Sequence, residues 1–406
     1  MPLEQINPND SELFRADAIW PWFERLRAED PVHWVVDPAP QVGGYWSVTK
    51  YNDIIAVSAD HATFSSEPSI TLEDDPEYAS LPMFIAMDPP KHGAQRKTVQ
   101  PIAAPNHLAR LAPLIRECAA EILDALPIGQ PFDWVDRVSL ELTGRVLAIL
   151  FDVPPEDRRK LIRWSDIATA SAASAPRLFA SADWRAQRYR ELLECGEYFS
   201  RFWNMRKAAP GPDMISLLAH GEATRNMTPM EYLGNLSLLI VAANDTARNS
   251  ISGSVLALHQ NPGQDRGLRD NPRKMLPAMV AETIRWQTPL SYMRRRATRD
   301  VKLRGKTIRA GDKLAMWYIS GNRDGDVITR PDDYWIARPR VRQHLSFGHG
   351  IHRCLGSSLA EMQLSILWEE IIRRFSRIEV TGPPRRVASS FVHGYEHLPV
   401  VIPARN

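Results

Sequence analysis

The run Phe347-Gly348-His349-Gly350-Ile351-His352-Arg353-Cys354-Leu355-Gly356 decides how the rest of the chain is read. It sets a cysteine directly before a segment of helical spacing, with Leu359, Met362, Ile366 and Leu367 on one side, that ends near Phe375. Gly348, Gly350 and Gly356 allow tight turns and close approach of the backbone to a flat ligand. A thiolate at a helix N-terminus faces unpaired N–H groups and the positive end of the dipole, which lowers its pKa and makes it a metal ligand. One cysteine in a glycine-rich loop is what a haem iron with an axial thiolate requires. Two plainer readings compete: an inert thiol, the common fate of an intracellular cysteine, and zinc held with His349 and His352. Zinc wants four N/S ligands in paired spacings, and no second cluster of that kind is present.

The 406 residues, 44% hydrophobic and 24% charged, can bury a large core. No Gly/Ser linker, charge block or internal repeat divides them, so a single domain over residues 1–406 is expected. A net charge of +2 excludes strong electrostatic attraction to nucleic acid or anionic lipid. The three cysteines, Cys118, Cys195 and Cys354, are far apart and odd in number, which suits a reducing compartment. The N-terminus is polar, and the longest apolar stretch, Leu236 to Ala243, is too short to cross a bilayer. A cytoplasmic monomer without a membrane anchor is expected.

Along the chain, Trp20 to Arg27 reads as an amphipathic helix, and Val32 to Val36 with Tyr45 to Val48 as a hairpin turning at Gln41 to Gly44. Tyr51 to Ser58 is helical again, and Arg96 to His220 is mostly so. Ala168 to Asp183, rich in Ala and Ser, lacks a period and reads as a mobile loop with short helical pieces. Thr228-Pro229-Met230-Glu231 is a capping box with proline in the first turn. Nothing stops that helix before Asn261-Pro262, so it runs roughly 45 Å through the core. A further helix over Leu276 to Trp286 and a strand-rich region over Arg294 to Leu314 follow.

Three polar groupings interrupt these patterns. Asn244-Asp245-Thr246 lies in the middle of the long apolar helix, where buried polar groups are costly without partners; the plain reading is a threonine bonded back to the carbonyl one turn earlier. Glu282 and Arg285 stand at i, i+3 on one helix, a spacing that is usually surface decoration. His92 and Arg96, in the run Met87-Asp88-Pro89-Pro90-Lys91-His92-Gly93-Ala94-Gln95-Arg96, are four apart at a helix start. Both can donate to one carboxylate, although alone such a pair is more often a solvated face.

Together, in this order and at these separations, the motifs resemble the cytochrome P450 family over nearly the whole chain, from Trp20 to Pro403. The resemblance implies a mainly α fold with minor β-sheets. Haem b (heme b, iron protoporphyrin IX) would lie between the long central helix and the cysteine loop with its helix. It implies Cys354 as the axial iron ligand and Phe347, Gly348, Gly356 and Ala243 as haem neighbours. His92, Arg96, Arg295 and His352 would bind the propionates. The family's pattern on the central helix is Ala/Gly-Gly-x-Asp/Glu-Thr. Asp245 and Thr246 match it as the proton-relay pair of oxygen activation; Ala243 stands where glycine is usual, and its methyl narrows the oxygen groove. Glu282, Arg285 and Arg338 match the family's E-x-x-R pair and its third arginine, a structural lock on the segment presenting Cys354.

Residues 87–92, 132–139, 230–236, 285–290, 316–324 and 390–396 further resemble the soluble bacterial branch that hydroxylates the terminal (omega) carbon of alkanes and fatty acids. The resemblance places Met83, Phe84, Ile85, Leu239, Ala242, Leu290, Met293, Phe391 and Val392 around a distal pocket. All are apolar, so a hydrocarbon chain would be held by burial. Terminal attack then becomes a problem of positioning in a narrow channel. Arg177, Arg185 and Arg188 are candidate donors for a substrate carboxylate. The expected activity is a monooxygenase using O2 on a small hydrophobic substrate. Its electrons would come from a separate 2Fe–2S ferredoxin and an NAD(P)H-dependent ferredoxin reductase, docking on a basic patch of Lys97, Arg340, Arg342 and Arg353. Alternatives are a hydroxylase of a terpene or other compact apolar substrate, a peroxide-dependent enzyme, against which Asp245-Thr246 argues, and a non-enzymatic haem protein.

Overall fold

The long helix starts where its capping box sets it. The Thr228 hydroxyl accepts from the Glu231 N–H at 3.2 Å, and the Glu231 carboxylate accepts from the Thr228 N–H at 3.1 Å. In the computed structural model, which describes residues 2–74, 81–179 and 182–406, this helix spans Pro229–Gln260. Its 32 residues reach about 48 Å at about 1.5 Å per residue. Leu233, Leu236, Ile240, Ile251 and Val255 are buried, so the helix passes through the core. Around it pack helices Glu141–Phe151, Arg158–Ala168, Trp184–Ala208, Pro272–Gln287 and Ser357–Arg374.

The mainly α architecture carries minor sheets. In the largest, Val32–Val36 pairs antiparallel with Gly44–Val48, and Gly44–Val48 runs parallel to Lys313–Trp317 with Trp46 opposite Leu314. Tyr292–Ala297 adds antiparallel to Lys313–Trp317, and Phe64–Ser65 closes the far edge. The strand-rich region expected over 294–314 joins this sheet through Tyr292–Ala297 and Lys313–Trp317, more than 200 residues after its first hairpin, while Val301–Leu303 and Lys306–Ile308 pair with each other as a separate two-stranded sheet.

One helix start differs from the sequence reading by a full turn. The helix expected from Leu276 begins at Pro272, with Pro277 inside it. Pro277 removes one early intrahelical bond, which the burial of Leu276, Met279 and Val280 offsets. The stretch Ala168 to Asp183 contains one short helix, Ala175–Leu178, among its described residues.

One titrating group in this scaffold has a measurable consequence. His393 is buried, donates from Nδ1 to the Gln287 carbonyl at 2.6 Å, and faces Arg386 at 3.2 Å and the rings of Trp20 and Phe14. Burial, then the Arg386 charge, push its pKa from 6.5 down to about 4, with Arg323 adding to the fall and Asp17 and the Gln287 carbonyl opposing it. The unfolded chain thus takes up a proton that the folded chain refuses between those values. Stability is therefore lost as pH falls through that window, by up to about 1.4 kcal/mol per pH unit. Thermal melts across it should show His393→Gln with a shallower slope than the parent; parallel slopes would remove His393 as the cause.

Candidate functional site

The loop before Cys354 is anchored by a buried charge network. Arg285 makes a two-pronged ion pair with Glu282 (2.8 and 2.9 Å), and Arg338 reaches the same carboxylate at 3.1 and 3.2 Å. All three side chains are essentially inaccessible. The Trp335 N–H also donates to Glu282, at 2.8 Å. Arg285 continues to the Asn322 carbonyl, and the Asn322 side chain accepts from the Leu345 N–H (2.6 Å) and donates to Ser346 Oγ (2.9 Å). The network therefore ends one residue before Phe347.

From there the loop folds on itself. The Gly348 N–H donates to the Leu345 carbonyl and the Cys354 N–H to the Phe347 carbonyl, each at 2.7 Å. Gly348 and Gly350 both adopt φ +68°, and a Cβ on Gly350 would lie 2.6 Å from the Ser58 carbonyl oxygen, so glycine is required there. Gly356 caps helix Ser357–Arg374. Cys354 is exposed, although Leu345 and Leu359 on either side are buried. Ala242 is likewise exposed in the middle of the otherwise buried long helix, so both face open space. Phe347, Leu355 and Ala243 pack on the same core cluster. Although its surface is open, desolvation by the surrounding loop and helix pushes the Cys354 thiol up, while the Gly356 N–H, Arg96 and Arg353 pull it down. The sequence reading expected the helix terminus to lower it. A bound metal would hold the sulfur as the thiolate.

A cluster of basic side chains lies beside this loop, with one carboxylate, Asp88, near it and already bonded to Ser65 Oγ and the Ser66 N–H. Arg295 is 3% exposed, donates to the Arg294 carbonyl at 2.7 Å, and has no carboxylate partner among the described residues. Arg96 donates to the Arg353 carbonyl at 2.5 Å. The His92 and His352 rings are 4.1 Å apart, and His92 Nε2 and His352 Nδ1 are buried with no partner. Burial and the neighbouring cations push His92 down to about 4 and His352 to about 2. Buried cations and orphaned ring nitrogens are costly unless paired. Two carboxylates beside an exposed thiol are what this arrangement lacks, and haem carries both carboxylates and an iron for the sulfur. The residues present fit the group.

On the long helix, Asp245 is fully buried. It accepts from Ser165 Oγ at 2.9 Å and Thr169 Oγ1 at 3.1 Å, and pairs with Arg248 at 3.1 Å. Arg248 in turn pairs with Asp166 at 2.7 Å. Burial pushes the Asp245 carboxyl up, Arg248 opposing. Thr246 donates to the Ala242 carbonyl at 3.0 Å, the back-bond that is its plain structural reading.

A cavity of about 730 Å³ opens beside the helix. Gly234 lets the 81–82 segment pass, since a Cβ there would meet the Pro82 carbonyl at 2.0 Å, and Asn235 accepts from the Phe84 N–H at 2.9 Å. This pins Leu81, Met83 and Ala86 on the wall, facing Leu238 and Val241 of the long helix, Trp184 and Leu192 of helix Trp184–Ala208, and Phe391. Of the nine residues expected around the substrate, Met83 and Phe391 line this cavity. Phe84 and Leu239 are buried in the main core, with Ile85 packed against it. Leu290 and Val392 form an isolated antiparallel β-bridge, and Met293 packs on the smaller core beside the sheet. Arg185 and Arg188 also line the cavity, Arg188 donating to the Ile167 and Ala168 carbonyls at 2.9 and 3.0 Å, whereas Arg177 pairs with Glu396. Sequence reasoning missed Leu238, Val241 and Thr169. Leu238 stands one residue from Leu239, and one step turns a helix by about 100°, which only the packing resolves.

The fold is mainly helical, and the cysteine loop and basic cluster fit a haem. The cytochrome P450 family model matches residues 204–392. Linalool 8-monooxygenase of Pseudomonas putida is 34% identical over 98% of this chain and 99% of its own. The methyl-branched lipid omega-hydroxylase of Mycobacterium bovis is 32% identical over 93% and 90%. The solved structure of CYP153D17 from Sphingomonas sp. PAMC 26605 is 48% identical, covers 97% of this chain and 98% of that one, and has a TM-score of 0.89. The chain belongs to the cytochrome P450 family and is a haem-dependent monooxygenase. Among the described residues, no helix is long and apolar enough to cross a membrane.

Proposed function

We propose that this enzyme hydroxylates the terminal carbon of a medium-length apolar chain, an alkane or fatty acid. The cavity carries the reading: Met83, Leu238, Val241 and Leu192 give it an apolar stretch beside the long helix that holds a hydrocarbon chain by burial. The kinship with an omega-hydroxylase supports it. Cys354 ligates the iron; His92, Arg96, Arg295 and His352 hold the two carboxylates of the haem. When bound, the haem activates O2 and delivers one of its atoms to a C–H bond. The Asp245 carboxylate is linked to the cavity through Thr169 Oγ1, and Thr246 presents its hydroxyl beside Ala242. Phe347, Gly348, Gly356 and Ala243 border the haem faces.

Electrons come from a separate ferredoxin and its NAD(P)H-dependent reductase. Lys97, Arg340, Arg342 and Arg353 are exposed around the cysteine loop, with Arg342 paired to Glu361 at 3.1 Å, and an acidic partner fits that surface.

A second reading, a terpene hydroxylase, is favoured by the 34% identity with a linalool monooxygenase. Product analysis with decane and linalool separates the two. Decane should give mainly the primary alcohol. Leu238→Ala should leak product to internal positions by several-fold, because holding a methyl end against its neighbouring carbon is a matter of wall contacts each contributing about 1–3 kcal/mol. Mainly internal alcohols from the parent, or turnover of linalool alone, would overturn the terminal reading.

A further inference from the structure

The cavity contains one buried polar group that nothing among the described residues satisfies. Ser237 lines it, is 6% exposed, and its hydroxyl has no hydrogen-bond partner among the described residues. Every other hydroxyl on the long helix has one. Thr246 and Ser250 bond to carbonyls one turn back at 3.0 and 2.8 Å, and Ser254 to the Ile251 carbonyl at 2.7 Å. Ser252 meets Ser139 at 2.8 Å, and Tyr232 reaches the Phe199 carbonyl at 3.2 Å. Helical serines bond back by default, and an unsatisfied buried hydroxyl costs about 1–3 kcal/mol. Ser237 is thus a polar point in an otherwise apolar stretch of wall, with Leu238 next to it and Val241 one turn on.

Its place on the helix says which part of a substrate it would meet. Ser237 stands nine residues before Thr246, about 13 Å along the axis at about 1.5 Å per residue. A chain lying against Leu238 and Val241 in the cavity brings the part farthest from the Thr246 end of the helix to Ser237. We infer that Ser237 is a specificity-determining residue that hydrogen-bonds a neutral oxygen function, hydroxyl or carbonyl, on the substrate remote from the carbon that is hydroxylated. This rests on the reading of the cavity as the substrate site and narrows its substrate to an oxygen-bearing chain. A single hydroxyl can donate to a carbonyl or accept from an alcohol by rotating about its C–O bond. The enzyme therefore prefers a chain that has already received one oxygen atom, and its product carries a second at the opposite end.

The test titrates the haem-loaded enzyme with n-decane and n-decanol, reading the shift of the haem absorption on binding, for the parent, Ser237→Ala and Ser237→Thr. The ratio of decanol to decane affinity should fall about three- to tenfold in Ser237→Ala, the range a net hydrogen bond supports. It should stay within about twofold in Ser237→Thr, which keeps the hydroxyl. Equal ratios in all three proteins, or an equal fall in Ser237→Thr, would overturn the assignment whatever carbon is attacked. The regiochemistry of decane oxidation is read separately, and internal alcohols there would overturn terminal hydroxylation whatever the ratio does.

Discussion

Cys354→Ser should yield a folded protein that takes up haem poorly, lacks the absorption typical of reduced, CO-bound thiolate haem, and has no monooxygenase activity above background. The fold should survive because the loop is held by main-chain bonds, Cys354 N–H to Phe347 and Gly348 N–H to Leu345, and by glycine turns that the substitution leaves untouched. The chemistry should not, because the thiolate's electron donation drives cleavage of the O–O bond and a serine hydroxyl does not ionise in its place. The other cysteines offer no substitute. Cys195 is buried and its thiol pushed far up by burial alone, and Cys118 is half-buried with its thiol raised too. A thiolate-type spectrum retained in Cys354→Ser would refute the assignment.

Glu282→Ala should be the most damaging change away from the haem. It leaves Arg285 and Arg338 facing each other with their side chains at most 3% exposed and removes the acceptor for the Trp335 N–H. Breaking a buried pair in this way costs about 3–5 kcal/mol, a large share of the about 5–15 kcal/mol by which domains are stable. Because Arg285 reaches Asn322, and Asn322 holds Leu345 and Ser346, the loop before Cys354 loosens with the network. Haem content of the purified protein and its denaturation midpoint should fall together. An unchanged midpoint with normal haem content would show that the network neither stabilises the fold nor positions the loop.

What could be read beforehand divides along a physical line. The start of the long helix was legible because Thr228, Pro229 and Glu231 act within one turn, and the helix runs to Gln260 as the run to Asn261-Pro262 predicts. The cysteine loop was legible because three glycines constrain the backbone locally. The five-stranded sheet was not. Its parallel pairing sets Trp46 against Leu314, and no local signal links residues so far apart. The cavity walls were read only in part, since of two adjacent core leucines Leu238 lines the cavity and Leu239 is not among its lining residues. Asp245 stood out as polar in an apolar helix. Its partners Ser165 and Thr169 lie on a different segment, and the sequence offers no spacing rule that joins them. Nor could composition reveal that Arg295 is buried without an acid, the feature that makes the basic cluster a place for carboxylates.

The central claim, a haem-thiolate enzyme placing one atom of O2 on a terminal carbon, is tested most directly by turning over decane with ferredoxin, reductase and NAD(P)H under isotopically labelled O2. The account predicts a primary alcohol carrying one labelled oxygen atom, formed in step with NAD(P)H consumption. An unlabelled alcohol, or mainly internal alcohols, would contradict it.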